Sequence, residues 1–280
     1  MFNPTQVIIK VCVERLIADY CHTYGSLKLD YADLLGWVSN IALEIIANSD
    51  ALYHNVEHTV LVTLVGQEIL RSKHIREGGI SCEHWLHFII SLLCHDIGYV
   101  KGACLADRAK ERLYATGLDE LMIQLPFGAT DANLTPFHVD RGKLFVKERF
   151  LHCLLIDTQA VKHNIELTRF PVPQDEEHLN TSNYPGLARA ADLIGQLSDP
   201  RYLQKIPALF YEFEETGANK TLGYRSPDEL RKNYPSFYWN VVFPYIQPAL
   251  HYLELTQKGK QIVANLYANV FLVENENRDA

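Results

Sequence analysis

Apolar residues recur at helical spacing along most of this chain, and this periodicity constrains the fold more than any other feature. The clearest stripe lies between residues 31 and 46 and consists of Leu34, Leu35, Val38, Ile41, Ala42, Ile45 and Ile46. Such spacing places the apolar side chains on one face of a helix, which must pack against other elements. Segments that alternate apolar and polar residues, as strands do, are nearly absent. The sequence therefore predicts an all-α fold.

Glycine and proline breaks divide the rest of the chain into further predicted helices. These cover residues 7–20, 53–74, 82–93, 105–116, 143–156, 186–197, 201–215, 226–233, 237–256 and 260–271. The chain has 280 residues, of which 48% are hydrophobic, and this is enough to form one large core. We expect a single compact helical domain.

Charge and composition exclude several classes of function. The formal net charge of −8 argues against duplex nucleic acid as a partner, because phosphate binding needs clustered Lys and Arg. No stretch approaches the roughly 18 apolar residues of a membrane span. The first residues form an amphipathic pattern rather than a signal peptide, and the six cysteines show no CxxC pair, so we expect a cytoplasmic protein with reduced thiols.

A His-Asp dyad, His95-Asp96, closes a strongly apolar segment that covers residues 88–94. An imidazole and a carboxylate at the end of such a helix are costly to bury unless they are paired or bound to a metal. Downstream, Asp192 interrupts the apolar stripe of another predicted helix, where a lone carboxylate is rare unless it meets a cation or several donors. Both features indicate a buried polar site.

Upstream of the dyad, His54 and His58 are four residues apart, so on a helix they share one face. This geometry suits two side chains that act at one site, one as a metal ligand and the other as a proton donor. Asn55 or Glu57 could orient an imidazole through its second nitrogen.

The ordered set resembles the HD-domain metal-dependent phosphohydrolases, and more narrowly the catalytic domain of class I cyclic nucleotide phosphodiesterases. The matching segments lie between residues 53 and 244. They are the YHNxxH segment at Tyr53-His54-Asn55 and His58, the dyad His95-Asp96, a TDxxKH-like segment at 157–163, an ADLSNP-like segment around Asp192 and Ser198-Asp199-Pro200, and an FIxxIVxP-like segment at 237–244.

The resemblance implies roles for the matching residues. His58, His95, Asp96 and Asp192 would hold the metal, Asp96 would bridge to a second ion, and His54 would protonate the leaving oxygen. Imidazoles and carboxylates together suit Zn, Fe, Mn or Ni, and a second position rich in carboxylate and water suits Mg or Mn. The substrate would be a small phosphorylated molecule. Residues 1–50 would add N-terminal helices, 51–200 the metal-site core and 201–280 the C-terminal helices.

Other candidates lie between the dyad and Asp192. His138 and His163 occupy the interval in which several HD proteins carry extra histidine ligands, and His138 is alternatively a substrate contact or a helix cap. Arg141 and Lys143 are candidates to contact a substrate phosphate. Tyr234 stands where the cyclic nucleotide enzymes carry a purine-binding glutamine, and the segment after the dyad lacks their second histidine. Both departures argue against a cyclic nucleotide as the substrate.

Three other interpretations remain open. A di-iron oxygenase of the HD type, similar to myo-inositol oxygenase, requires both His138 and His163 as ligands. A zinc peptidase would use the HxxEH pattern of His54, Glu57 and His58, but it gives the His-Asp dyad no role. The third is a non-catalytic HD sensor or binding module.

Overall fold

The computed structural model describes residues 2–279 and confirms the all-α prediction. The α-helices, in chain order, are α1 Pro4–Tyr24, α2 Leu29–Ile46, α3 Val56–Glu77, α4 Cys82–Cys94, α5 His138–Phe150, α6 Thr158–Glu166, α7 Tyr184–Leu197, α8 Tyr202–Thr216, α9 Ala218–Leu222, α10 Pro227–Phe237, α11 Phe243–Leu253 and α12 Gln257–Asp279. A π-helical turn, Tyr238–Val242, joins α10 to α11, and short 3-10 helices cover Ile97–Tyr99, Ala109–Glu111, Asp131–Phe137 and Glu177–Leu179. Within these residues, no helix is long and apolar enough to cross a membrane.

The helices that carry the predicted site begin at polar caps. Asn55 precedes α3, and its side chain accepts hydrogen bonds from the backbone N–H groups of Glu57 and His58. Ser81 caps α4 and Asn183 caps α7 in the same way. These residues satisfy backbone donors that a helix N-terminus otherwise leaves without a partner.

The core is built around α3 and α7, which approach each other closely. A Cβ atom added at Gly195 of α7 would lie 2.6 Å from the Cα atom of Val62 in α3, so only glycine allows this approach. Gly66 of α3 similarly faces Leu92 of α4. One hydrophobic cluster extends around these helices and includes residues from Ile9 to Val273. The contact between α3, α4 and α7 brings together the segments that carry the predicted ligands.

The prediction of a helix over residues 105–116 was wrong. The segment forms the short 3-10 turn Ala109–Glu111 and the strand β1, Leu113–Ala115, which pairs antiparallel with β2, Met122–Gln124. The Asp107 carboxylate accepts hydrogen bonds from three backbone N–H groups, those of Gly102, Cys104 and Ala115. These side-chain bonds hold the backbone in a loop conformation that competes with a helix.

Two further segments also differ from the predictions. The helix expected over residues 143–156 begins earlier, at His138, and ends at Phe150. The helix α6 was not predicted; Asp157 caps it through hydrogen bonds from the backbone N–H groups of Gln159 and Ala160.

Candidate metal centre

The four residues predicted to hold a metal meet at one buried point. His58 lies in the first turn of α3, His95 and Asp96 directly follow α4, and Asp192 lies in α7. The His58 Nε2 atom is 3.1 Å from Asp96 Oδ2 and 3.4 Å from Asp192 Oδ1. The His95 Nε2 atom is 3.2 Å and 3.6 Å from the same two oxygens. The side chains of His58, His95 and Asp96 are almost completely buried, and the Asp192 side chain is one-fifth exposed.

The donor set fits a cation. Donor atoms that share one ion at about 2.1 Å each typically lie roughly 3–3.5 Å apart, and the nitrogen–oxygen distances of this cluster, 3.1–3.6 Å, are similar. His95 Nε2 and Asp96 Oδ2 are buried and have no hydrogen-bond partner within residues 2–279. Buried polar atoms without partners are rare in folded proteins, and here both of them point into the same cluster. These side chains could therefore hold a metal ion.

The local structure prepares His95 for this role. Its Nδ1 atom is 2.7 Å from the carbonyl oxygen of Leu92, one turn back in α4. A proton on Nδ1 completes this hydrogen bond, so Nε2 is directed toward the carboxylates. Metal-binding histidines characteristically use their second nitrogen in this way, which fixes both the tautomer and the ring orientation.

The electrostatics of the cluster favour ionised carboxylates. Burial alone would raise the pKa of Asp192, but His58 and His95 outweigh it and lower the pKa to about 2. Burial likewise opposes ionisation of Asp96, yet His95 and His58 hold its pKa well below the ordinary value. The two carboxylates in turn raise the pKa of His95 against the effect of burial. A cation that enters the cluster therefore competes with a proton.

His54 lies beside this cluster and is held by a residue that the sequence did not reveal. Its Nδ1 atom is 2.5 Å from Oε2 of Glu212 in α8, and Glu212 Oε1 accepts hydrogen bonds from the backbone N–H groups of Tyr53 and His54. Burial would lower the pKa of His54, but the Glu212 carboxylate raises it to about 9. The raised pKa favours the protonated imidazole. His54 also forms one group of candidate metal ligands together with His58 and Asp96.

Tyr99 connects His54 to His138 by ring stacking. The Tyr99 ring is 4.5 Å from the His54 ring and 4.6 Å from the His138 ring, centroid to centroid. His138 Nδ1 is 2.6 Å from the carbonyl oxygen of Thr135. Burial lowers the pKa of His138, which leaves this imidazole neutral with Nε2 as its acceptor. His138 lines the same cavity as Asp96 but belongs to no group of candidate ligands in the described chain.

The structure does not bring the other sequence candidates to the cluster. His163 is about half exposed and its Nδ1 atom lies 3.0 Å from a Glu177 carboxylate oxygen. Lys143 forms ion pairs with Asp140 and Glu166. His163 and Lys143 thus form ion pairs with neighbouring carboxylates instead of the predicted contacts with metal and substrate.

Arg141 is also placed differently from the prediction. Its side chain is fully buried, and every guanidinium nitrogen donates to the protein, namely to the carbonyl oxygens of Gly98, Val100 and Ala115 and to both oxygens of Asp107. No donor is left for a phosphate. Arg141 instead fixes the segment that follows the His-Asp dyad.

A cavity of about 210 Å³ opens onto the cluster. His54, Asp96, Tyr99, His138 and Asp192 line its inner part, together with Thr135. The remaining walls come mainly from α7–α10 and include Tyr234, whose buried hydroxyl has no hydrogen-bond partner within residues 2–279. Tyr234 thus lines the cavity next to the cluster, and its contact with a substrate stays a prediction.

A family model described as Npun_R2479-like matches residues 2–276. No curated protein and no solved structure matches the chain.

Proposed function

We propose that this chain, which belongs to the Npun_R2479-like family, is a metal-dependent phosphohydrolase of the HD type that cleaves a small phosphoester. The observation that carries the proposal is the convergence of His58, His95, Asp96 and Asp192 on one buried point beside the His54–Glu212 pair. A bound divalent ion of the Zn, Fe, Mn, Ni or Mg type supplies Lewis acidity, which neutralises charge on phosphoryl oxygens and activates water.

His54 is the proposed general acid. Cleavage of a phosphoester leaves an alkoxide that needs a proton, and the raised pKa of His54 keeps that proton available at neutral pH. The hydrogen bond to Glu212 orients the ring so that Nε2 carries the transferable proton. Glu212 acts through His54 and is therefore a positioning residue.

The same contacts weigh against the other interpretations. The oxygenase required His163 as a ligand, but that side chain is half exposed and pairs with Glu177. The zinc peptidase required Glu57 as a general base, yet its carboxylate lies 3.2 Å from Lys205 Nζ and 3.6 Å from Arg201. A sensor module needs no general acid, so the Glu212–His54 pair favours an enzyme.

The test is hydrolysis of bis(p-nitrophenyl) phosphate and p-nitrophenyl phosphate by protein purified without chelators and loaded separately with Mn, Mg, Zn or Fe. We expect metal-dependent turnover that His54→Gln lowers by about 10²-fold or more, with the metal content unchanged. His152→Gln, a change at an exposed histidine outside the site, serves as the control. Absence of turnover with every metal, or full activity in His54→Gln, contradicts the proposal.

A further inference from the structure

The residues that line the cavity beside the candidate metal centre indicate the chemistry of the organic part of the substrate. Beyond the histidines and carboxylates, polar side chains of Thr135, Thr168 and Gln196 line part of the cavity, and α8, α9 and α10 contribute a wall of apolar and aromatic side chains: Leu209, Phe213, Leu222, Leu230, Tyr234 and Phe237. Three separate helices thus contribute the same kind of surface. Such a wall gains free energy by removing apolar ligand surface from water.

Apart from the histidines at its inner end, this cavity has no basic side chain in its lining. Within the described chain, none of the residues that line it is Lys or Arg. Arg169 lies between two lining residues, Thr168 and Phe170, but its guanidinium bonds to Glu166 and Asp140.

The cations on the α7–α8 side of the cavity are committed in the same way. Lys205 pairs with Asp199 at 2.6 Å and with Glu57 at 3.2 Å, and Arg201 lies near Glu57. The described residues that line these walls therefore offer no Lys or Arg to a second anionic group of a ligand. Recognition of a pyrophosphate or carboxylate characteristically uses Arg or Lys donors.

We infer that the substrate is a phosphoester whose organic group is uncharged and apolar, an alkyl or aryl alcohol rather than a nucleoside polyphosphate or a carboxylated sugar phosphate. This inference rests on the proposed function for the phosphate end and on the α8–α10 walls for the organic end. The phosphate then meets the His-Asp cluster, and the apolar group lies along Phe213, Leu230 and Phe237.

The test uses non-hydrolysable probes, so it does not depend on turnover. Binding of methyl-, ethyl-, propyl- and butylphosphonate to the Mn-loaded protein is measured by calorimetry. Burial of one methylene group is worth about 0.8 kcal/mol, which is about fourfold in Kd, so butylphosphonate should bind about 60-fold more tightly than methylphosphonate. 3-Phosphonopropionate has a chain of similar length with a terminal charge, and it should bind no better than methylphosphonate.

A matched pair of leucine variants connects this preference to the cavity wall. Leu222 lines the cavity and is 55% exposed, whereas Leu179 is 60% exposed and lies outside it, so neither change disturbs the core. Leu222→Lys should reduce the dependence on chain length and strengthen the binding of 3-phosphonopropionate. Leu179→Lys should leave both unchanged.

Equal affinity for all four alkylphosphonates, no binding by any of them, or a preference for 3-phosphonopropionate would overturn the inference. Failure of the proposed function has a different signature. Affinity that rises with chain length in a protein that hydrolyses no phosphoester refutes the enzyme and leaves the apolar site. Turnover that does not depend on the organic group refutes the apolar site and leaves the enzyme.

Discussion

Replacing Arg141 by methionine tests whether this arginine supports the fold or binds substrate. Its side chain is fully buried in α5, and it holds the carbonyl oxygens of Gly98 and Val100 and the Asp107 carboxylate. These groups lie in the loop that directly follows the His-Asp dyad. Methionine retains much of the apolar stem but removes the hydrogen bonds that Arg141 donates to the carbonyls and to the carboxylate.

The expected loss follows from those contacts. Removing one partner of a buried ion pair costs about 3–5 kcal/mol, because the other charge remains in a poorly solvated position. Asp107 keeps three backbone donors, from Gly102, Cys104 and Ala115, which places the estimate at the lower end of the range. We therefore expect Arg141→Met to lower the free energy of unfolding by about 3 kcal/mol.

Urea denaturation followed by circular dichroism measures this difference at constant m-value. Arg149→Met is the matched control, since Arg149 is exposed on the same helix and a surface change should stay within about 0.5 kcal/mol. A stable Arg141→Met protein with a raised KM would refute the reasoning, because it would make Arg141 a substrate contact.

Three other changes test the site and its support. Glu212→Gln should lower kcat roughly 10–100-fold and move the alkaline limb of the pH profile to lower pH, because the pKa of His54 falls when Glu212 loses its charge. Burial would raise the pKa of Glu166, but the hydrogen bond from Arg169 lowers it below the ordinary value of 4.5. The ionised Glu166 should therefore stabilise the fold above pH 4.5. The difference in unfolding free energy between wild type and Glu166→Gln should vanish as the pH falls through the lowered pKa. Gly195→Ala should cost about 1–3 kcal/mol and weaken metal binding, because the new Cβ meets the α3 backbone.

Each of these changes has a control. Glu214→Gln, on the same helix as Glu212, should leave the pH profile unchanged, and Glu254→Gln, an exposed change, should not alter the acid stability. Gly36→Ala meets only the flexible end of Ile17, so it should cost less than Gly195→Ala. An unshifted alkaline limb, a Glu166 effect that persists at low pH, or a fully stable Gly195→Ala protein would each contradict the corresponding contact.

Two parts of the cluster were visible as departures from a pattern. The dyad His95-Asp96 and the carboxylate of Asp192 stand at positions where helical periodicity indicates burial, and burial of such groups requires partners. His58 was singled out by its spacing from His54, and the four residues were joined into one set by the family resemblance. Glu212, between Phe210 and Phe213 on an apolar helix, is a further carboxylate of this kind, but no motif or spacing connects it to His54 in the sequence.

Other features could not be read from one sequence. Arg141 and Lys143 are both basic residues of one predicted segment, and only the three-dimensional contacts show that Arg141 is fully buried and that Lys143 is about one-quarter exposed in ion pairs. The strands β1 and β2 have three residues each, too few for an alternating pattern to emerge. The hairpin depends on distant contacts, above all those of Asp107.

The most direct test of the account is the metal content of the purified protein. Wild type and Asp96→Ala, both prepared without chelators and checked for folding by circular dichroism, are compared by elemental analysis, with Asp131→Ala as a control at a buried aspartate outside the cluster. We expect one or two equivalents of divalent metal in wild type and in Asp131→Ala and a loss of metal in Asp96→Ala. Wild-type protein that binds no Mn, Zn, Fe, Ni or Mg even after reconstitution, or an Asp96→Ala variant that keeps the full metal content, would contradict it.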